Sequence, residues 1–318
     1  MYSSILPGLY YGFLRKNNGF PPHSRAFIDS VSGQHVTRDI TWAQSLLLAR
    51  GLRAADSAGL LPLHKGSTVL IVCPNSTLYP VVTMALLAFV GHMQAPYIEK
   101  RVLLLARQLD LSAFIILQGA WVTLDDLLNV LPDTSSSSIP EDFNSSDAHQ
   151  TAVIFFSSGA SDRHFKAVDL THHNVTGMLT QIDKAWPHYQ PEHNVVLGVV
   201  PFFHGIPIVS LLRYNLALFL ATINRFQVMQ TGLLVPPIFN FLAKHPLVND
   251  FRMALLQYII IGAARISPAM IGLCTEHFAL RGIMLKVSQA YGMSEISGCV
   301  SFVPLECLKD GLAVPEDF

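Results

Sequence analysis

Ser157, Ser158, Gly159, Ala160 and Ser161 stand together in one polar stretch, with Lys166 a few residues on. Loop N–H groups, serine hydroxyls and one ammonium are the groups that can surround phosphate oxygens. The stretch lacks the GxxxxGK(S/T) spacing of a Walker A loop, and an ordinary surface loop satisfies the same composition. A second block, Gly292-Met293-Ser294-Glu295-Ile296, nearly forms the GxSxG nucleophile elbow. Ile296 stands where that turn requires glycine, and no companion His/Asp motif accompanies it. The adjacent pair His172-His173 is the one histidine doublet among 13 histidines, and it lacks HExxH or comparable ligand spacing. The four cysteines, Cys73, Cys274, Cys299 and Cys307, show no CxxC spacing, which argues against a zinc site or redox pair and fits a reduced setting.

The elements that must position these groups follow from apolar patterning. Thr151 to Phe156 is a short apolar run suited to a buried strand, and it stops at Ser157. After Lys166, apolar positions return at Val168 and Leu170, and Thr171 is placed to cap a helix. Upstream, Ala26 to Asp29 reads as a strand with a turn at Ser32-Gly33. Thr41 to Leu60 reads as a helix with Leu46, Ala49, Leu52 and Ala55 on one side. Gly66 to Cys73 reads as a strand, Leu78 to Val90 as a buried helix, Glu99 to Leu109 as a helix and Ala113 to Leu117 as a strand. This alternation predicts an α/β fold of layered, mostly parallel sheets covered by helices. Val195 to Val200 is a further strand running into Pro201-Phe202-Phe203-His204-Gly205, and a histidine at a strand end in such a sheet borders a ligand as readily as it packs. Leu255 to Gly262 is another strand, and Ile266-Ser267-Pro268 opens a helix. The small residues Gly262, Ala263 and Ala264 let a flat ring approach the backbone there.

With 318 residues, 51% of them hydrophobic and 14% charged, the chain can bury a large core and is not of a disordered type. A net charge of −1, without a basic stripe, argues against nucleic acid as a partner. Pro80 to Gly91 is too short to span a bilayer, and Val195 to Ile223 is interrupted by proline, glycine and charge, so no membrane span is expected. The N-terminus does not read as a signal peptide and the C-terminus is not an SKL-type address, so a cytoplasmic location is expected. Residues 133–146 form a polar, serine-rich linker or loop.

Four blocks, in order, resemble the adenylate-forming (AMP-binding) superfamily, with a leaning toward acyl-CoA ligases such as 4-coumarate-CoA ligase-like enzymes. Ser157 to Lys166 with Leu170-Thr171-His172 and Asn174 is similar to its phosphate loop, although Asp162 or Arg163 replaces a glycine, Phe165 a proline and Ala167 another glycine. Pro201 to Pro207 is similar to the P-x-F-H-x-x-G block, with Pro207 at the glycine position. Gly262 to Ser267 is similar to GAAPLS, with Arg265 for proline, and Gln289-Ala290-Tyr291-Gly292-Met293-Ser294-Glu295 is similar to Q-x-Y-G-x-T/S-E throughout. The resemblance implies ATP and Mg²⁺ as cofactors, with CoA in a complete enzyme, and a small aromatic or fatty carboxylic acid as substrate. It implies that Lys166, His204 and Glu295 are catalytic and that Glu295 holds magnesium. It assigns the nucleotide to Ser157–Ser161, to Gly262, Ala263 and Ala264, and to Gln289–Ser294, with Tyr291 near adenine. A metal carboxylate there makes chemical sense, because Mg²⁺ favours carboxylate plus phosphate oxygens.

On this reading residues 20–303 form an incomplete AMP-binding domain and 304–318 a tail. The family's ribose aspartate, hinge, C-terminal domain and adenylation lysine have no room after Glu295, so ATP-dependent acid activation is expected to be impaired and thioester formation lost. A partner supplying the C-terminal domain is unknown. A catalytically inactive nucleotide- or acyl-binding module and a fragmentary gene product are the alternative readings.

Overall fold

The computed structural model describes residues 21, 23–57, 69–72, 76–89, 93–94, 114–117, 120–123, 147–156, 167–185, 195–198, 208–211 and 214–303. The helix expected over Glu99 to Leu109, the polar stretch 133–146 and the tail 304–318 lie outside them. The strands are β1 (Arg25–Asp29), β2 (His35–Thr37), β3 (Val69–Val72), β4 (Met93–Gln94), β5 (Phe114–Leu117), β6 (Ala120–Thr123), β7 (Thr151–Phe156), β8 (Ala167–Thr171), β9 (Val196–Gly198), β10 (Ile208–Ser210), β11 (Gln230–Leu234), β12 (Tyr258–Ile261), β13 (Lys286–Met293) and β14 (Gly298–Phe302). The helices are α1 (Arg38–Ser57), α2 (Tyr79–Phe89), α3 (His172–Ala185), α4 (Leu216–Arg225), α5 (Pro236–Lys244) and α6 (Pro268–Ala279). The chain divides into two compact units, one made of Met1–Arg15 and Arg38–Thr180, the other of Lys16–Thr37 and Gln181–Phe318.

In the first unit a six-stranded sheet runs β6-β5-β3-β4-β7-β8. Only its centre is parallel, β3 with β4 and β4 with β7; the β6-β5, β5-β3 and β7-β8 pairs are antiparallel. Helix α1 packs against α2, which is apolar on every side and buried from Tyr79 to Leu87. The buried face of α1 differs from the one its leucines and alanines suggest. Arg38, Thr41, Ser45, Leu48 and Leu52, at alternating spacings of three and four, are buried, whereas Leu46 and Ala49 are only partly covered. A hydroxyl tolerates this position when its bond is made locally, and Ser45 Oγ donates to the Thr41 carbonyl at 2.7 Å.

Thr171 caps α3 as its position predicts. Its Oγ1 accepts from Asn174 N at 3.1 Å, while Asn174 Oδ1 accepts from Thr171 N at 3.0 Å and from Thr171 Oγ1 at 2.8 Å. This is the reciprocal bonding of a capping box, with asparagine in the glutamate role.

In the second unit an eight-stranded sheet runs β14-β13-β12-β11-β9-β10-β1-β2. From β13 through to β1 every pairing is parallel, and the antiparallel strands β14 and β2 close the two edges. Six strands therefore enter a core of fully buried residues, among them Phe219, Phe239, Ile259, Ile261 and Phe278. β12 starts at Tyr258, three residues later than the apolar run suggests. Met253 to Leu256 instead form a turn that closes with Leu256 N donating to the Met253 carbonyl at 3.0 Å. Short polar residues fix the flanking helices. Asn215 Oδ1 accepts from Leu218 N at 3.0 Å at the head of α4, and Ser267 Oγ accepts from Met270 N at 3.3 Å at the head of α6. At the tail of α4, Arg225 donates to the Val31 carbonyl at 2.9 Å and lies over the Phe226 ring at 5.0 Å, tying the helix to the β1–β2 turn.

Candidate nucleotide site at the strand ends

β11, β12 and β13 run parallel, so their carboxyl ends emerge on one edge of the sheet. In open α/β sheets that edge is the usual ligand position. Ile261, the last residue of β12, is in register with Gln289 of β13. Gly262-Ala263-Ala264 therefore leaves the sheet beside Ala290-Tyr291, two blocks distant in sequence.

Gly262 is held by its N–H donating to the Leu234 carbonyl at 2.9 Å. A β-carbon there would lie 2.6 Å from Leu233 Cδ1, so a larger residue at 262 would have to push the end of this leucine aside. Ala263 follows with φ of +69°, in the left-handed region that a non-glycine residue occupies at a cost of about 1–3 kcal/mol. Ala263 and Ala264 are both exposed, while Gly262 and Ile266 on either side are buried. The loop closes when Gln289 Oε1 accepts from Ile266 N at 3.0 Å. The structure thus gives the Gln289 carboxamide a backbone partner inside the protein.

Beyond Gln289 the β13 strand becomes exposed. The Tyr291 side chain is 59% exposed, which leaves its ring free to lie against a flat ligand. Gly292 faces the carbonyl of Gly298 across the β13–β14 hairpin so closely that a β-carbon would fall on that oxygen. The chain turns through a short 3-10 segment, Ser294–Ile296, that returns into β14 with Ser297 at φ 63° and Gly298 at φ 126°. Glu295 occupies the first turn of that segment and is exposed. Among the described residues no group of three or more His, Cys, Asp or Glu is placed to hold a metal. Mg²⁺ favours carboxylate together with phosphate and water oxygens, and Glu295 offers an exposed carboxylate.

Ser157–Ser161 and Lys166 lie outside the described residues, as does His204. The strands that flank the first segment are described: Phe156 of β7 pairs with Ala167 of β8, so residues 157–166 connect an antiparallel pair. Of the histidine doublet, His172 is buried and His173 is exposed, edge-on to His149 at 5.2 Å. Cys274 and Cys299 are free thiols, and burial pushes the Cys274 thiol up to about 12. Leu233 is a residue that sequence reading did not find. Nothing in its neighbours marks it, because its place under Gly262 arises from a register shift in β11 between Thr231 and Leu233.

The fold and its open carboxyl edge define an α/β protein of the kind that receives ligands at strand ends. More narrowly, the chain belongs to the AMP-binding enzyme family, whose model matches residues 13–315. Probable 4-coumarate–CoA ligase 1 of Dictyostelium discoideum is 31% identical over 177 residues, covering 51% of this chain and 31% of that protein. The 4-coumarate–CoA ligase-like 1 protein of Arabidopsis thaliana is 26% identical over 317 residues, covering 87% of this chain and 55% of its own length. The chain thus spans less than two thirds of these curated relatives. In fold, the crystal structure of a long-chain-fatty-acid-CoA ligase from Archaeoglobus fulgidus superimposes with a TM-score of 0.73 at 17% identity, covering 96% of this chain and 68% of that one. No helix of the described residues is long and apolar enough to cross a membrane.

Proposed function

We propose that this chain binds Mg-ATP and a carboxylic acid and joins them as an acyl-adenylate, the first half of an acyl-CoA ligase reaction. The observation that supports this most is the Ile261–Gln289 register, which sets the exposed Ala263–Ala264 segment beside the free ring of Tyr291 on one sheet edge. Small residues there admit a flat base, and Tyr291 covers one face of it. The carboxylate of the acid attacks the α-phosphorus, the bond to the bridging oxygen breaks, and pyrophosphate leaves with the electron pair. Mg²⁺ neutralises phosphate charge when bound. By the family resemblance, Glu295 would supply its protein carboxylate, Ser294 a hydroxyl toward phosphate, and Ser157–Ser161 with Lys166 further donors to phosphate oxygens. His204 borders the acyl group. An aromatic or fatty acid is the proposed substrate, and CoA the acceptor in the second half-reaction.

Isothermal titration with Mg-ATP, followed by ATP–pyrophosphate exchange over a panel of aromatic and fatty acids, tests this. Wild-type binding with loss in Glu295→Gln supports the assignment; equal binding by both proteins overturns it.

A second reading is a nucleotide-binding module that does no chemistry. The departures in 157–166 favour it: Asp162 places a negative charge near the proposed phosphate position, and two glycines of the family pattern are absent. Nucleotide binding without pyrophosphate exchange would select it.

A further inference from the structure

The Gly262–Ile266 loop is fastened at both ends by backbone N–H groups. Gly262 N donates to the Leu234 carbonyl at 2.9 Å, and Ile266 N donates to Gln289 Oε1 at 3.0 Å. The first bond continues the β11–β12 ladder by one residue and depends on no side chain. The second depends on one side chain, that of a residue 23 positions away in sequence. Between the two fasteners Ala263 is held at φ +69°, a conformation an alanine abandons when nothing enforces it. Ile266 is buried at the far end, and Ser267 immediately caps α6, so the loop has little room to relax except by releasing this bond.

We infer that Gln289 is a positioning residue: its carboxamide oxygen holds the Ile266 amide, and through it the Ala263-Ala264 backbone, strained at Ala263, that faces the nucleotide. The inference rests on the nucleotide-binding reading above and deepens it. Gln289 acts through the loop, and the nucleotide touches the loop. A glutamate at 289 retains an acceptor oxygen at the same reach. A methionine has similar length and no acceptor able to hold the amide. An asparagine is polar but one methylene shorter.

The experiment compares wild type, Gln289→Glu and Gln289→Met by two readouts: hydrogen exchange at the Ile266 amide, and Mg-ATP affinity by titration. Exchange at Ile266 is expected to quicken about tenfold or more in Q289M and to stay slow in Q289E, since a lost hydrogen bond opens the site locally. Mg-ATP affinity should fall about tenfold in Q289M and recover largely in Q289E, in step with Ile266 protection. Should Q289M fail to fold, Gln289→Asn takes its place with the same expectation. Ile266 exchange that quickens while affinity stays wild-type overturns the positioning role. So does loss of affinity in Q289E while its Ile266 amide remains protected, because that outcome means direct contact with nucleotide. A wild-type chain that binds no Mg-ATP refutes the nucleotide-binding reading itself, which is a different result from variants failing to track a binding wild type.

Discussion

Gly292 and Gly298 meet across the β13–β14 hairpin with no room for a β-carbon on Gly292, whose place is taken by the Gly298 carbonyl oxygen. Two backbones approach this closely only where a side chain is absent. The contact fixes how sharply the chain turns between the exposed ring of Tyr291 and the carboxylate of Glu295. Gly292→Ala must push the hairpin open, and overpacking of this kind costs about 1–3 kcal/mol. Urea unfolding should show that loss, and Mg-ATP titration should show weakened binding. A variant with wild-type stability and binding would mean that the hairpin closes without this contact.

Glu295 is the exposed carboxylate at the proposed metal position. Glu295→Gln keeps its size and removes its charge. Mg-ATP affinity should drop about tenfold or more, as a charge-assisted contact is worth about 1.5–3 kcal/mol. Thermal stability should be nearly unchanged, because an exposed carboxylate without a structural partner contributes little to folding. Titration and a melting curve on the same sample separate the two.

The 157–166 segment joins the antiparallel strands β7 and β8 and carries the negative charge of Asp162. Removing that charge and restoring glycine, in Asp162→Gly, should tighten Mg-ATP binding, because glycine lets loop N–H groups turn toward phosphate and the repulsion is gone. The expected gain is about threefold to tenfold, and it should shrink as salt is added. An unchanged affinity would show that this segment does not contact phosphate.

Thr171 and Asn174 satisfy each other's N–H groups at the head of α3. Thr171→Ala should destabilise the chain by about 1 kcal/mol, the usual worth of a cap. Thr171→Ser should restore most of it, because the hydroxyl is what accepts the bond. Denaturant midpoints of the three proteins decide the point, and equal midpoints would mean the cap is redundant.

Cys274 sits on α6 within the core, and burial raises its thiol to about 12 from 9.0. Between those values the unfolded chain has released the proton and the folded chain has kept it. This thiol's contribution to stability is therefore complete below pH 9 and declines as pH rises toward 12. At pH 8 Cys274 should resist a thiol reagent in the native state and react once urea unfolds the chain. Mass spectrometry of the labelled peptide reads this directly, and rapid native labelling would show that α6 opens.

What the sequence determined by itself is what adjacent residues settle among themselves. The cap at Thr171 and the Ser267-Pro268 start of α6 each depend on a bond between residues three apart, so the chain's order states them. The order of the blocks likewise made the family legible, and the match over residues 13–315 agrees. The tertiary structure decided whatever needed two distant segments in one register. Leu233 under Gly262, Gln289 on Ile266 and Gly292 against Gly298 all follow from how β11 to β14 line up, and a shift of one residue would turn each side chain to the opposite face. The buried face of α1 belongs to the same group. Hydrophobicity favoured its leucines and alanines, yet Thr41 and Ser45 are inside because Ser45 bonds within its own helix, and only packing reveals that a polar group has no need of water.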